Sequence, residues 1–220
     1  MPAVVLKNPI VVANRLEEIG VSHRELTEIV NAMLAARADC TDNDTPAAPG
    51  WLSWCMGVRR LRQLKISQVG WEKDETAQIS SVLNRKLRVR IAISNTDDGT
   101  GDDSRTPQNN SKKGAATDSI VNANQLSFMD ILDASPGVIS FKKSAGVSET
   151  IRTWYLCVYS SGDVRRAELS CPVKVEAGYF GDFFERIFLT IPGVSDTDPK
   201  RLLNVGDNRS EYEIPVKRKP

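Results

Sequence analysis

Residues 153–173, TWYLCVYSSGDVRRAELSCPV, decide the fold. Two alternating runs flank Gly162-Asp163, and glycine in first place suits a two-residue type II′ turn. Counting outward from that turn sets Trp154 against Cys171, Leu156 against Leu169 and Val158 against Ala167, so six apolar side chains share one face. The other face then carries Tyr155 with Ser170, Cys157 with Glu168 and Tyr159 with Arg166. A slip of one residue would put apolar against polar throughout, which fixes the register.

Upstream, Leu87, Val89, Ile91 and Ile93 alternate with Arg88, Arg90 and Ala92, the period-two pattern of a strand with one buried face. It ends at Ser94-Asn95. Downstream, Val173 and Val175 prolong the hairpin, and GYFGDFFERIFLTIP (178–192) reads as a short helix followed by a strand.

Further toward the N-terminus the period changes to that of a helix. Ser22 and Glu25 form a capping box, and Leu26, Ile29, Val30, Met33 and Leu34 recur at helical spacing to about Ala38. After Gly50, Trp51, Trp54, Cys55, Val58 and Leu61 form a core-facing stripe, with Arg59, Arg60 and Gln63 elsewhere. Gly70-Trp71 marks the change to a β-rich region. The expected class is α+β: a helical subdomain (1–70) packed on a mixed or antiparallel sheet (71–195) with one long inserted loop (94–119), then a loosely packed polar tail (196–220). A helix over Ile120–Leu132, a short strand at Val138–Phe141 and another at Tyr212–Val216 complete the expectation.

The 220 residues, 40% apolar and 26% charged, are ordinary for a soluble globular chain. With 29 Lys plus Arg against 28 Asp plus Glu, no global field attracts a polyanion, so such binding must be local. No apolar run approaches a membrane span and no signal peptide is read at the start. Cys40, Cys55, Cys157 and Cys171 are too irregularly spaced for a zinc knuckle or redox pair and read as structural thiols of a cytoplasmic protein. The sole histidine, His23, follows a helix N-cap, a poor place for a hydrolytic base.

Function is sought in local clusters. Arg59, Arg60, Arg62, Lys65, Lys73, Arg85, Lys86, Arg88 and Arg90 face only Glu72, Asp74 and Glu75 within the same segment, a bias suited to phosphate contacts unless Glu17, Glu18, Glu25 and Glu28 neutralise it. In the loop, Lys112 and Lys113 precede Gly114 and a helix start, where a phosphate can bind, though the order departs from a Walker A loop and Thr117 also reads as a plain N-cap. Asp97, Asp98, Asp102 and Asp103 offer oxygens for a hard cation without the EF-hand spacing. The expected function is an intracellular binding or accessory protein that contacts nucleic acid or another macromolecule through 59–90 and 94–119, without a cofactor.

Two other classes remain open. A magnesium-dependent phosphodiesterase or nuclease would use Asp163 and Glu168 as acids and Arg166 as charge stabiliser, although Ser170 stands where such enzymes carry a lysine, and structural pairing of Glu168 with Arg166 or Arg165 competes with it. A protein-directed adaptor or inhibitor would use Tyr155 and Tyr159 as exposed anchors.

Overall fold

The capping box forms as its sequence predicts: the Ser22 hydroxyl accepts from the Glu25 amide, and the Glu25 carboxylate accepts from the Ser22 amide. Helix α2 then runs His23–Ala38 and buries Leu26, Ile29, Val30, Met33 and Leu34. The computed structural model describes residues 3–115, 117–121, 124 and 151–191. The strands expected at Val138–Phe141 and Tyr212–Val216, the tail 196–220 and most of the helix expected over Ile120–Leu132 lie outside the described residues.

A second helix, α1 (Pro9–Ile19), precedes α2; the Asn8 side chain accepts from the Ile10 and Val11 amides, and Gly20 ends the helix at φ 84°. The third, α3, spans Ala48–Ile66. Together they cover one face of a seven-stranded mixed sheet, consistent with the α+β class. Its strands are β1 (Val4–Leu6), β2 (Trp71–Asp74), β3 (Ser81–Asn84), β4 (Val89–Asn95), β5 (Arg152–Ser161), β6 (Val164–Pro172) and β9 (Phe183–Leu189). Their order is β1-β9-β6-β5-β4-β3-β2; β1/β9 and β4/β5 run parallel and every other neighbouring pair antiparallel.

The β5–β6 hairpin has the expected register, from Tyr155 opposite Ser170 to Ser161 opposite Val164. Gly162 carries a positive φ of 54° and Asp163 does not, as a type II′ turn requires. Trp154, Leu156, Val158, Ala167, Leu169 and Cys171 all enter the core beneath the helices. The opposite face is also covered. Tyr155, Cys157, Ala92, Val121, Phe180 and Phe183 form a second apolar cluster there.

Four expectations need correction. Strand β4 is buried on both faces, because Arg90 and Ala92 lie under the loop side, and Leu87 is 41% exposed because residues 85–88 form a turn. The packed side of α3 centres on Ser53, Gly57 and Leu61, since Gly57 lets the helix close on Met33 and Ile93; Trp51 is left 61% exposed. No helix forms in 178–192. Instead β7 (Val175–Glu176) and β8 (Tyr179–Phe180) make a small ribbon, turning through positive φ at Ala177 and Gly178, and β9 follows directly. Finally, Glu168 pairs with Arg186 of β9, and neither Arg166 nor Arg165 is its partner. No described helix is long and apolar enough to cross a membrane.

Candidate functional site

The segment after β4 folds back on itself and is pinned to the sheet. The Asp97 amide donates to the Gln108 carbonyl at 2.9 Å and the Asn110 amide to the Asn95 carbonyl at 3.0 Å. Beneath it, Arg186 donates from Nε to Glu168 Oε1 at 2.9 Å and from Nη2 to Oε2 at 2.7 Å, a bidentate pair. Arg186 also donates to the carbonyls of Gly99 at 3.0 Å and Arg105 at 2.8 Å, and Arg166 donates to those of Asp98 at 2.8 Å and Thr100 at 3.3 Å. Ser170 Oγ and the Gly101 amide each reach Glu168 at 2.7 Å. Polar residues of the hairpin thus serve as the scaffold of the loop.

This arrangement commits two of the three residues a nuclease would use to holding the loop. Glu168 is fully buried with both oxygens engaged, Arg166 is tied to loop carbonyls, and Asp163 is exposed at the hairpin turn. The loop aspartates are likewise occupied. Asp97 Oδ1 accepts from the amides of Gly99 and Gln108, and Asp102 Oδ1 from the amide and hydroxyl of Ser104. Asp103 pairs with Lys7, and the hydrogen bond from Arg105 holds the Asp98 carboxyl below its ordinary range. Among the described residues no three His, Cys, Asp or Glu side chains gather as metal ligands do.

Both lysines before Gly114 lie against aromatic rings. Lys113 Nζ sits 5.6 Å from the ring centroids of Tyr155 and of Phe180, and burial lowers its amine below the usual lysine range. Lys112 Nζ lies 6.0 Å from the Tyr179 ring. Tyr155 is only 2% exposed and packs 4.9 Å from Phe180, centroid to centroid, so the expectation of an exposed anchor at Tyr155 is corrected: the folded loop and β7–β8 cover that strand face. Tyr159, partly exposed, stacks under the Arg166 guanidinium at 5.6 Å.

Ion pairs absorb most of the basic segment. Arg60 pairs with Glu28, Lys65 with Glu25, Arg62 and Lys73 with Glu75, and Arg85 with Glu72. Arg90, expected to meet a polyanion, instead forms a buried pair with Asp74 at 2.7 Å. Arg59, Lys86 and Arg88 remain, with no carboxylate at salt-bridge distance among the described residues.

Arg88 lines a cleft of about 210 Å³ where β4 and β5 begin, together with Arg15, Arg152, Glu18, Leu87 and Trp154. Its backbone is left-handed at φ 56°, a conformation non-glycine residues rarely adopt, and its carbonyl accepts from the Arg152 amide at 2.9 Å. Arg15 is anchored by Glu185 through Nε and Nη2, both at 2.8 Å, and by Glu18 at 2.6 Å. Arg15 and Arg152 escaped the sequence reading because α1 and the β4/β5 pairing bring them to Arg88 from distant parts of the chain. Comparison with protein families, curated proteins and solved structures finds no match to this chain.

Proposed function

We propose that this chain is a binding or accessory protein that engages nucleic acid through the basic end of the sheet. The carrying observation is the convergence of Arg15, Arg88 and Arg152 on one cleft, beside a turn whose Lys86 and Arg88 keep no carboxylate partner among the described residues. A phosphate lodged between Arg88 and Arg152 would receive charge-assisted donors from both. Of the segment 59–90, only this turn enters the reading; the loop 94–119 leaves from the opposite end of β4. A cytoplasmic location belongs to the same proposal, supported by buried thiols at Cys157 and Cys171 on opposite sheet faces.

Fluorescence anisotropy with single- and double-stranded DNA and RNA at low and moderate salt tests it. Binding should weaken steeply with salt, and Lys86→Ala plus Arg88→Ala should reduce the log–log salt slope by about 2. Arg59→Ala plus Arg60→Ala should leave that slope unchanged. Failure to bind any probe, or an unchanged slope for the Lys86/Arg88 double variant, overturns the proposal. Magnesium-dependent cutting of the probes would instead favour the phosphodiesterase reading.

A further inference from the structure

Helix α3 has an outward side that the other described residues leave open. A groove of about 750 Å³ runs between it and the segment around Ser80, floored by Trp54, Val58 and Ile66 and flanked by Arg59 and Arg62. Ile66 is 46% exposed, so apolar surface reaches solvent along the groove. Between Ala48 and Ile66 the helix carries Arg59, Arg60, Arg62 and Lys65 and no carboxylate. Two of these four cations are committed elsewhere: Arg60 to Glu28, and Lys65 to Glu25 and the Gly20 carbonyl.

The other two border the groove with capacity left. Arg59 is exposed and meets no carboxylate among the described residues. Arg62 makes only long contacts, 3.4 Å to the Asp74 carbonyl and 3.4 Å to Glu75, and its Nε is buried without an acceptor among the described residues. A guanidinium whose Nη2 is held only at 3.4 Å can take a shorter, charge-assisted bond from an incoming carboxylate.

We propose that this groove docks an amphipathic helix of a partner protein, whose apolar stripe covers Trp54, Val58 and Ile66 while its flanking carboxylates meet Arg59 and Arg62. Helix-in-groove recognition combines these two parts, an apolar stripe for contact area and charges for orientation. A second copy of α3 is a poor occupant, because it would set arginines against arginines with no carboxylate on either helix. The site is separate from the cleft at Arg15, Arg88 and Arg152 and stands or falls without it.

The full chain is titrated against a fluorescent helical peptide about four turns long, with a leucine stripe flanked by glutamates. Its twin carries lysines in place of the glutamates, and a third probe is a single-stranded DNA. The glutamate peptide should bind at least about tenfold more tightly than the lysine twin, and Arg59→Glu, on an exposed side chain, should reverse that preference. Equal affinity for the two peptides, or an Arg59→Glu variant with unaltered preference, overturns the proposal. DNA binding that Arg59→Glu abolishes would assign the groove to nucleic acid, and a dimer that Ile66→Glu dissociates would assign it to a second copy. Absence of binding by either peptide overturns it as well.

Discussion

Glu168 has no solvent exposure, and each of its carboxylate oxygens receives two donors, one of them from Arg186. Deleting the carboxylate would strand the Arg186 guanidinium, itself 3% exposed, in the second face of the sheet. Glu168→Ala should therefore cost about 3–5 kcal/mol in urea unfolding, and wild-type stability in that variant would contradict the scaffold role. Asp74 and Arg90 form the comparable pair nearer the far edge of the sheet. Burial opposes ionisation of Asp74, but donors from Thr76, Ser81 and Arg90 outweigh it and hold its carboxyl below the ordinary 3.8. A carboxyl lowered in the folded state adds stability above its ordinary value and loses that contribution as pH falls through the lowered one. Unfolding midpoints measured from neutral pH down through pH 3.8 should drop on acidification, and Asp74→Asn should start lower and fall less; parallel curves would contradict the assignment.

At the level of elements, Gly57 governs how closely α3 approaches α2 and β4. A Cβ there would stand 2.7 Å from Met33 Cγ and 3.2 Å from Ile93 Cγ2, both on fully or nearly fully buried side chains. Gly57→Val should destabilise by about 1–3 kcal/mol in thermal or urea unfolding, and a neutral effect would mean that Met33 repacks freely. The same residue explains where the sequence misled. A tryptophan stripe is the obvious apolar signal, yet closest packing belongs to the smallest residue, which carries no hydrophobic signal at all. The hairpin, by contrast, was readable to the residue, because a two-residue turn and strict alternation leave one register that keeps six apolar side chains on one face. Strands β1 and β7–β8 were not, since two or three residues cannot show a period. Without β9 correctly placed, Arg186 could not be seen as the partner of Glu168. Of the candidate site, Arg88 was legible as a base, whereas its convergence with Arg15 and Arg152 depends on tertiary contacts that single-sequence periodicity does not encode.

For the molecule as a whole, the sheet is closed by its most distant parts. Strand β1 lies parallel to β9, with Val4 opposite Glu185, and Arg15 of α1 reaches Glu185, 170 residues later in the chain. The central β4/β5 pair is also parallel, so its partners, Val89 and Arg152 among them, lie far apart in sequence. Loop-closure entropy must be overcome before such contacts contribute, which predicts slow folding, in roughly milliseconds to seconds, despite the local contacts within α1, α2 and α3. The local hairpin β5–β6 and the α2–α3 pair can form early; the β1–β9 edge, which needs both chain regions in place, should form last. An interaction made after the transition state affects unfolding and spares folding. Arg15→Ala, which removes the half-buried pair to Glu185 and the contact with Glu18, should raise the unfolding rate by about tenfold while the refolding rate changes little. Stopped-flow chevrons in urea separate the two limbs. A refolding limb slowed in proportion to the lost stability would place the β1–β9 edge in the folding nucleus and reverse the proposed order of assembly.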